Sequence, residues 1–486
     1  MKGCSGQTVW SCLVLVVGLG WGQVATGVQP ARETGPDPAQ QRPNIVLIVT
    51  DDLSCTLGCY GDPVAVTPAI DSLAHEGVLY RNAFATTASC SPSRSVILSG
   101  LYSHATGQYG LAHSYHNFGS RAQLATLAPM LTQAGYRTAR IGKFHVQPEA
   151  TYEFAEAIKA SSRNPVAMAK ACRKLIQEES RSPFFLYFCT SDPHRGGGGV
   201  ADDPLQPDRF GNRPVDDPHP GVDPLEFAPQ SIAVPDWMPQ SNAARAELAQ
   251  YYQSVNRIDQ GVARLLQELR EAGKLDSTVI LFTSDHGMAF VGAKTTVYEP
   301  GLRIPFIVRD PRQEKRNFAC DAMISLVDVT PTILDIAGAD TTQIEFHGKS
   351  LVSTLDKEHP AGFDVVFASH TLHEVTMYYP MRAVRNRRYK LIWNIAHPLP
   401  FPFARDLWRS ATWQMARETG NYGQRTVQQF VQRPEFELYD LVADPLETNN
   451  LATEDERAEL LEEMLQQLRG FQAKTGDPWK LKWEHE

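Results

Sequence analysis

Five short, largely apolar runs constrain this chain more than any other feature: 44–50 (NIVLIVT), 136–141 (YRTARI), 183–190 (PFFLYFCT), 278–283 (TVILFT) and 304–309 (IPFIVR). Runs this short and continuous suit strands covered on both faces, the habit of parallel sheets whose crossover helices lie on either side. Helical patterns lie between them. The clearest, 243–272, carries Leu248, Tyr252, Val255, Ile258, Val262, Leu265 and Leu269 at three-to-four spacing, and Gly273 closes it as a C′ residue. Strands separated by helices predict an α/β fold, with a large, mostly parallel sheet flanked by helices. Beyond about residue 362 the pattern changes to close-set strands at 364–368, 381–386, 388–394 and 436–441, followed by a helix at 454–472. That predicts a smaller C-terminal antiparallel sheet with one helix, dividing the chain into 43–362 and 363–486.

Composition acts as a filter. With 42% apolar and 21% charged residues, collagen-like, disordered and disulfide-scaffold classes are excluded. A net charge of −9 argues against nucleic-acid binding. Residues 1–27 read as a signal peptide: Lys2 starts it, Cys12 to Leu19 form its apolar run, and Ala25-Thr26-Gly27 offers a cleavage site. Residues 28–42, rich in Pro, Gln and Gly, read as a flexible linker. No later run reaches the ~20 apolar residues of a membrane span. The cysteines left after the signal, at 55, 59, 90, 172, 189 and 320, have no framework spacing, and Cys55 and Cys59 read as packing rather than a pair. None of the thirteen asparagines opens an Asn-x-Ser/Thr sequon, which favours a bacterial periplasmic or secreted protein over a lysosomal one. The Gly/Pro/Asp-rich stretch 195–240 lacks periodicity and is expected to line a site or act as a lid.

The residues just beyond each strand carry the chemistry. Run 44–50 ends in Asp51-Asp52, 136–141 in Gly142-Lys143-Phe144-His145, 183–190 in Ser191-Asp192-Pro193-His194, and 278–283 in Ser284-Asp285-His286-Gly287. Open parallel sheets bind ligands outside the carboxyl ends of their strands. Adjacent carboxylates repel unless a cation neutralises them, so Asp51, Asp52 and Asp285 suit a hard divalent ion, calcium or magnesium. The competing reading is that Asp51 or Asp285 merely caps the next helix. Zinc is disfavoured because no His-x-x-x-His pair or cysteine cluster occurs, though His286 is a softer ligand. A second constellation, Cys90-Ser91-Pro92-Ser93-Arg94, reads as the first turn of a helix, with Arg94 one turn beyond the cysteine. Its position suits an activated thiol or an anion cradle, or else a buried cysteine in a turn.

The segment CSPSRSVILSG at 90–100 resembles the signature of the type I, formylglycine-dependent sulfatases of the alkaline-phosphatase-like superfamily. VTDD at 49–52, GKFH at 142–145, DPH at 192–194 and SDHG at 284–287 resemble that family's other hallmarks, in their order. FATTASCSPSR, SDPHRGG, RIDQGVARLLQELREAG and HEVTMYYPMRAVRNRRYKLIWN (373–394) bring the likeness nearest to the sulfamidase branch, the N-sulfoglucosamine sulfohydrolases. The resemblance implies that a maturation enzyme converts Cys90 to formylglycine, whose hydrate is the nucleophile. It implies one calcium ion held by Asp51, Asp52, Asp285 and His286 together with the residue-90 oxygen. Arg94 then orients the hydrate, and Lys143 and Lys294 neutralise transition-state charge. His194 protonates the leaving amine and His145 assists loss of the second hydrate proton. His373 and Glu374 are implied to recognise the terminal sugar.

Two positions depart from the family pattern. His286 stands where many members have Asn, and Lys294 where the sulfamidase pattern has Arg, which loses the bidentate fork. The basic run 382–390 (RAVRNRRYK), starting at Arg382, reads either as a saccharide-binding strip or as a solvated strand edge. His104, His113 and His116 come soon enough after the signature to lie near the site. The expected activity is removal of N-linked sulfate from terminal N-sulfoglucosamine of heparin or heparan sulfate. The alternatives are an O-sulfatase acting on a carbohydrate or aryl sulfate, and a phosphatase or phosphodiesterase of the superfamily. Cysteine at the nucleophile position disfavours the last. Expected partners are the sulfated saccharide and the maturation enzyme, with a homodimer as one option, and neither nucleic acid nor membrane.

Overall fold

A computed structural model describes residues 42–196 and 210–485. The expected signal peptide, all of the expected linker except Arg42, and part of the 195–240 stretch lie outside the described residues.

The large sheet is built from β1 (Asn44–Thr50), β2 (Val78–Phe84), β3 (Arg137–Gly142), β4 (Glu156–Ile158), β5 (Phe184–Cys189), β6 (Thr278–Ser284), β7 (Arg303–Ile304), β8 (Phe306–Arg309) and β9 (Phe318–Ser325). Its order is β4-β3-β5-β1-β6-β8-β2-β7, with β9 beside β2. The strands from β4 to β6 run parallel, and β8 turns antiparallel to β6. The expected mostly parallel sheet is therefore observed, with an antiparallel portion on one side.

Alternation explains why the central runs are apolar throughout. Ile45, Leu47 and Val49 of β1 enter one core with Phe185, Tyr187 and Cys189 of β5. Val46 and Ile48 enter the other with Phe184, Leu186 and Phe188. Helix Asn242–Glu271 covers the second face through Leu248, Val255, Ile258, Val262 and Leu269. Ser241 caps its start by accepting the Ala244 N–H at 3.1 Å, and Gly273 lies just past its end at φ +65°.

The run 304–309 divides at Pro305, which has no N–H for the ladder. β2 and β9 are strands that the pattern reading missed. Arg81 and Asn82 interrupt the first, and Asp321 the second, so neither presents a continuous apolar run.

The smaller sheet has β10 (Val365–His370), β11 (Met381–Asn386), β12 (Tyr389–Asn394) and β15 (Phe436–Asp440), all antiparallel in that order. A short hairpin, β13 (Asn421–Tyr422) with β14 (Arg425–Thr426), precedes the last strand. Helix Ala458–Thr475 packs on this sheet, with Met464, Leu465, Leu468 and Phe471 buried. Phe471 stacks on Phe367 at 4.1 Å between ring centroids. Val384, Leu391, Trp393 and Leu438 share one apolar core with Ile45 and Leu47, so the sheets are not separate bodies. Cys55, Cys59, Cys90, Cys172, Cys189 and Cys320 are all free thiols, as packing predicts for the first two. Among the described residues no helix is long and apolar enough to cross a membrane.

Candidate active site

Register brings the site together. Gly142 and Val49 both lie opposite Cys189, and Thr50 lies opposite Ser284. The neighbouring strands β3, β5, β1 and β6 thus stop level, and the residues just beyond them meet at one edge. Backbone bonds fasten the exits: Asp51 N–H to the Asp192 carbonyl at 3.0 Å, Lys143 N–H to the Cys189 carbonyl at 2.8 Å, and Asp285 N–H to the Thr50 carbonyl at 3.2 Å. Asp52, His145 and Thr295 adopt φ of 64°, 58° and 65°, a left-handed conformation that non-glycine residues rarely take. Such strain is held where the surrounding structure over-determines it, and here it clusters at the site.

Helix Cys90–Ile97 faces this edge, with Cys90 in its first turn and 1% exposed. The Cys90 Sγ lies 3.4 Å from His286 Nε2 and 3.9 Å from Asp52 Oδ1. Arg94, fully buried, donates from Nε to Asp285 Oδ2 at 3.1 Å and from Nη2 to Asp51 Oδ1 at 3.3 Å. Its Nη1 donates to the Lys143 carbonyl at 3.2 Å. Lys143 pairs with Asp51. Lys294 bridges Asp52 at 3.0 Å and Asp406 at 3.1 Å.

Asp51, Asp52 and Asp285 are fully buried, and their oxygens lie within 4.8 Å of one another. Burial alone would raise Asp51, but Lys143, with His194 and Arg94 behind it, holds its carboxyl well below the usual range. Burial, then the charge of Asp51, pushes Asp285 up to about 6. Such crowding is relieved by a bound cation, and three carboxylate oxygens are a hard donor set. His286 Nδ1 is taken by the Gly287 carbonyl at 2.9 Å, so Nε2, 3.1 Å from Asp52 Oδ1, faces the cluster. The residues fit a divalent ion.

Burial, only partly offset by Lys143, lifts the Cys90 thiol well above its ordinary value. The unmodified thiol is therefore a poor source of thiolate. Burial, then Lys294 and Lys143, drives His194 well below the usual histidine range. For His145 the same burial is reinforced by Lys143 and His113.

A cleft of about 520 Å³ opens above Cys90, within the ~300–1,000 Å³ of small-molecule sites. Of the residues singled out in the sequence, Cys90, His145, His194, Lys294, His373 and Glu374 line it, as do His113 and His116. His113 Nδ1 is bonded to His145 Nε2. His373 Nδ1 is 2.8 Å from the hydroxyl of Ser89, next to Cys90.

Arg382 is not in the cleft. It is fully buried and pairs through Nε and Nη2 with both carboxylate oxygens of Asp477, at 2.5 and 2.9 Å. The rest of the basic run is also engaged: Arg385 and Lys390 with Glu299, Arg387 with Asp364, Arg388 with Asp440. No residue of the run lines the cleft, and each of its basic side chains meets a carboxylate, Arg387 and Arg388 while 42% and 56% exposed. His104 is buried against Tyr102 and Phe471 and does not line the cleft.

Sequence reasoning missed part of the lining. Arg195, Arg405, Asp406, Arg409 and Ser410 line the cleft, the last four around a one-turn helix, Arg405–Trp408. The signal was faint: charged residues set into FPFARDLWRSATW, a stretch with no strand or helix period. Arg195 and Gly196 show that at least the start of the 195–240 stretch lines the site.

The sulfatase family profile matches residues 43–339, and the profile of the N-sulphoglucosamine sulphohydrolase C-terminal region matches 286–398. The chain is 39% identical to the N-sulphoglucosamine sulphohydrolase of Homo sapiens, over 90% of this chain and 91% of that one. It is 25% identical to an N-acetylglucosamine-6-O-sulfatase of Bacteroides thetaiotaomicron, over 90% of this chain and 88% of that one. A protein solved in complex with its substrate D-glucosamine-2-N,6-O-disulfate has the same fold, with a TM-score of 0.66 and 22% identity, covering 92% of this chain and all of the other. With both profiles matched and strand ends, signature helix and cleft converging on Cys90, the chain is an enzyme of the sulfatase family that carries the C-terminal region of the N-sulphoglucosamine sulphohydrolases.

Proposed function

We propose that this sulfatase removes the N-linked sulfate of a terminal N-sulfoglucosamine in heparin or heparan sulfate, with residue 90 matured to formylglycine and one calcium ion bound. Export through residues 1–27 to the periplasm or medium belongs to the same reading. The observation that carries it is the contact between Ser89 and His373. His373 lies within the segment matched by the N-sulphoglucosamine sulphohydrolase profile, and through this bond that segment reaches the residue preceding Cys90. A likeness that lay only far from the cleft would say nothing about substrate.

In this reading Asp51, Asp52, Asp285 and His286 hold the ion. The ion supplies polarisation of the sulfonate oxygens, and the hydrated aldehyde supplies a nucleophile that the buried thiol cannot. The protein's own groups do the remainder. Arg94 fixes Asp51 and Asp285 against the signature helix, so the ligands and residue 90 keep one geometry. Lys143 and Lys294 lie on the carboxylates and are placed to balance the charge gathering on a sulfonate. His194, which lines the cleft, is placed to deliver a proton to the leaving nitrogen, and His145 to take one from residue 90. His194 needs a proton for this, and the negative charge of an arriving sulfamate favours the charged ring.

The test compares sulfate release from N-sulfated and 6-O-sulfated glucosamine, using protein made with a formylglycine-generating enzyme. The expected result is a preference for the N-sulfated sugar, an aldehyde at residue 90 by peptide mass spectrometry, and loss of turnover in Cys90→Ala. Preference for the O-sulfated sugar, or full activity in Cys90→Ala, overturns the proposal.

A further inference from the structure

We propose that Arg405 and Arg409 form a second anion site at the mouth of the cleft. It takes an additional sulfate ester or carboxylate of the saccharide whose first sulfate lies over residue 90. The inference rests on the proposed saccharide function and deepens it, by naming the substrate class as multiply anionic.

Both arginines are exposed and line the same cleft as Cys90. They are four residues apart, with the Arg409 N–H donating to the Arg405 carbonyl at 3.2 Å, so they lie on one side of a single turn. Among the described residues neither guanidinium makes a hydrogen bond or ion pair. The arginines of the nearby basic run behave otherwise: Arg382, Arg385, Arg387 and Arg388 each meet a carboxylate.

Two carboxylates do lie close, and both are used elsewhere. Glu374 Oε1 accepts the backbone N–H of Arg405 at 3.0 Å, and Asp406 Oδ2 pairs with Lys294 at 3.1 Å. Those contacts, with Ala404 and Leu407 buried beneath, fix the turn while leaving its two guanidinium groups free.

Arg195 lines the same cleft but is held within its wall. It is only 3% exposed, with Nη1 on Glu247 and Nε on the Ala289 carbonyl at 3.1 Å. Its Nη2 is buried, and the guanidinium lies 4.7 Å over both the Phe210 and the Phe290 rings, so it adds positive charge behind the cleft without reaching a ligand in it. Two unpaired like charges one turn apart repel, and a bound anion relieves that repulsion. Guanidinium groups match sulfate and carboxylate through paired N–H donors.

The group they take sits either on the N-sulfated sugar itself, as a 6-O-sulfate, or on the next sugar, as a uronate carboxylate. Calorimetric binding of three desulfated products separates these: glucosamine, glucosamine 6-sulfate, and glucosamine linked to a uronate. We expect the full-length protein to bind one of the anionic pair about tenfold more tightly than glucosamine. In R405Q/R409Q that ratio falls at least about fivefold, and in R405K/R409K it falls less, because the charge is kept while the fork is lost. R270Q/R316Q removes two exposed charges elsewhere and leaves the ratio in place. A wild-type ratio near one, or an unchanged ratio in R405Q/R409Q, overturns the inference. Sulfate release from N-sulfoglucosamine is read in parallel. Its absence removes the proposed N-sulfatase function, while the binding ratios still decide the arginines.

Discussion

Arg94 shows how much of the site one side chain can hold. Its three nitrogens meet Asp285, Asp51 and the carbonyls of Thr50 and Lys143, joining the signature helix to the ends of β6, β1 and β3. Lysine keeps the charge but has one nitrogen on a flexible stem, so it cannot span those partners. Arg94→Lys is expected to lower kcat at least ~100-fold, since misplacing reacting groups by an ångström costs about that much. Steady-state sulfate release measures it, and a kcat within twofold of wild type rules the role out. Residues like Arg94 were legible in the sequence because they sit in a dense local motif. Asp51, Asp52, Asp285 and His286 were legible because each comes directly after an apolar strand. Arg382 was misread for a physical reason: charge density along the chain says nothing about where the opposite charges lie, and Asp477 is 95 residues away. Arg405 and Arg409 left only a faint trace, since a single turn has too few residues to show a period.

At the scale of elements, strand ends matter more than strand interiors. Gly142 ends β3 at φ +84°, and a Cβ there would lie 1.9 Å from the Cys189 carbonyl oxygen. That carbonyl receives the N–H of Lys143, so glycine lets the chain turn tightly enough to carry Lys143 and His145 into the site. Gly142→Ala is expected to cost ~2–4 kcal/mol, combining an unfavourable backbone conformation with a backbone clash. Chemical denaturation measures the loss, and kcat should fall with it because Lys143 is displaced. A change below ~0.5 kcal/mol would show that β3 can shift without harm. The central strands were readable since both faces are covered and most positions are apolar. β2 and β9 were not, because exposed Arg81 and half-buried Asn82 and Asp321 break their apolar pattern.

For the whole molecule, the division of the chain into two parts describes the sheets better than the energetics. Lys390 of β12 pairs with Glu299, which precedes β7 of the large sheet, and with Glu447 beyond β15. Lys294 pairs with Asp406 in the lining of the cleft, and one apolar core runs beneath both sheets. Unfolding is therefore expected as a single calorimetric transition, and a tie inside the smaller sheet should shift all of it. Arg382 is such a tie: its fork holds Asp477, which caps the turn after helix Ala458–Thr475 by accepting the Trp479 N–H at 3.1 Å. Arg382→Met leaves that carboxylate buried and unpaired, which costs ~3–5 kcal/mol. KM should stay within about twofold, since the side chain is outside the cleft; a KM rise of tenfold with unchanged stability would restore the saccharide-binding role. The pH dependence gives a second readout. Burial alone would raise Asp477, but Arg382 brings it down to about 2, below its ordinary 3.8. A carboxyl lowered on folding contributes stability that is complete above its unfolded value and is lost as pH falls toward its folded one. The Arg382–Asp477 coupling in a double-mutant cycle should therefore be constant from pH 7 to about 4 and fade between about 4 and 2. A coupling already fading near pH 6 would mean that the fork is open in solution, and that the turn after helix Ala458–Thr475 is held on the smaller sheet without it.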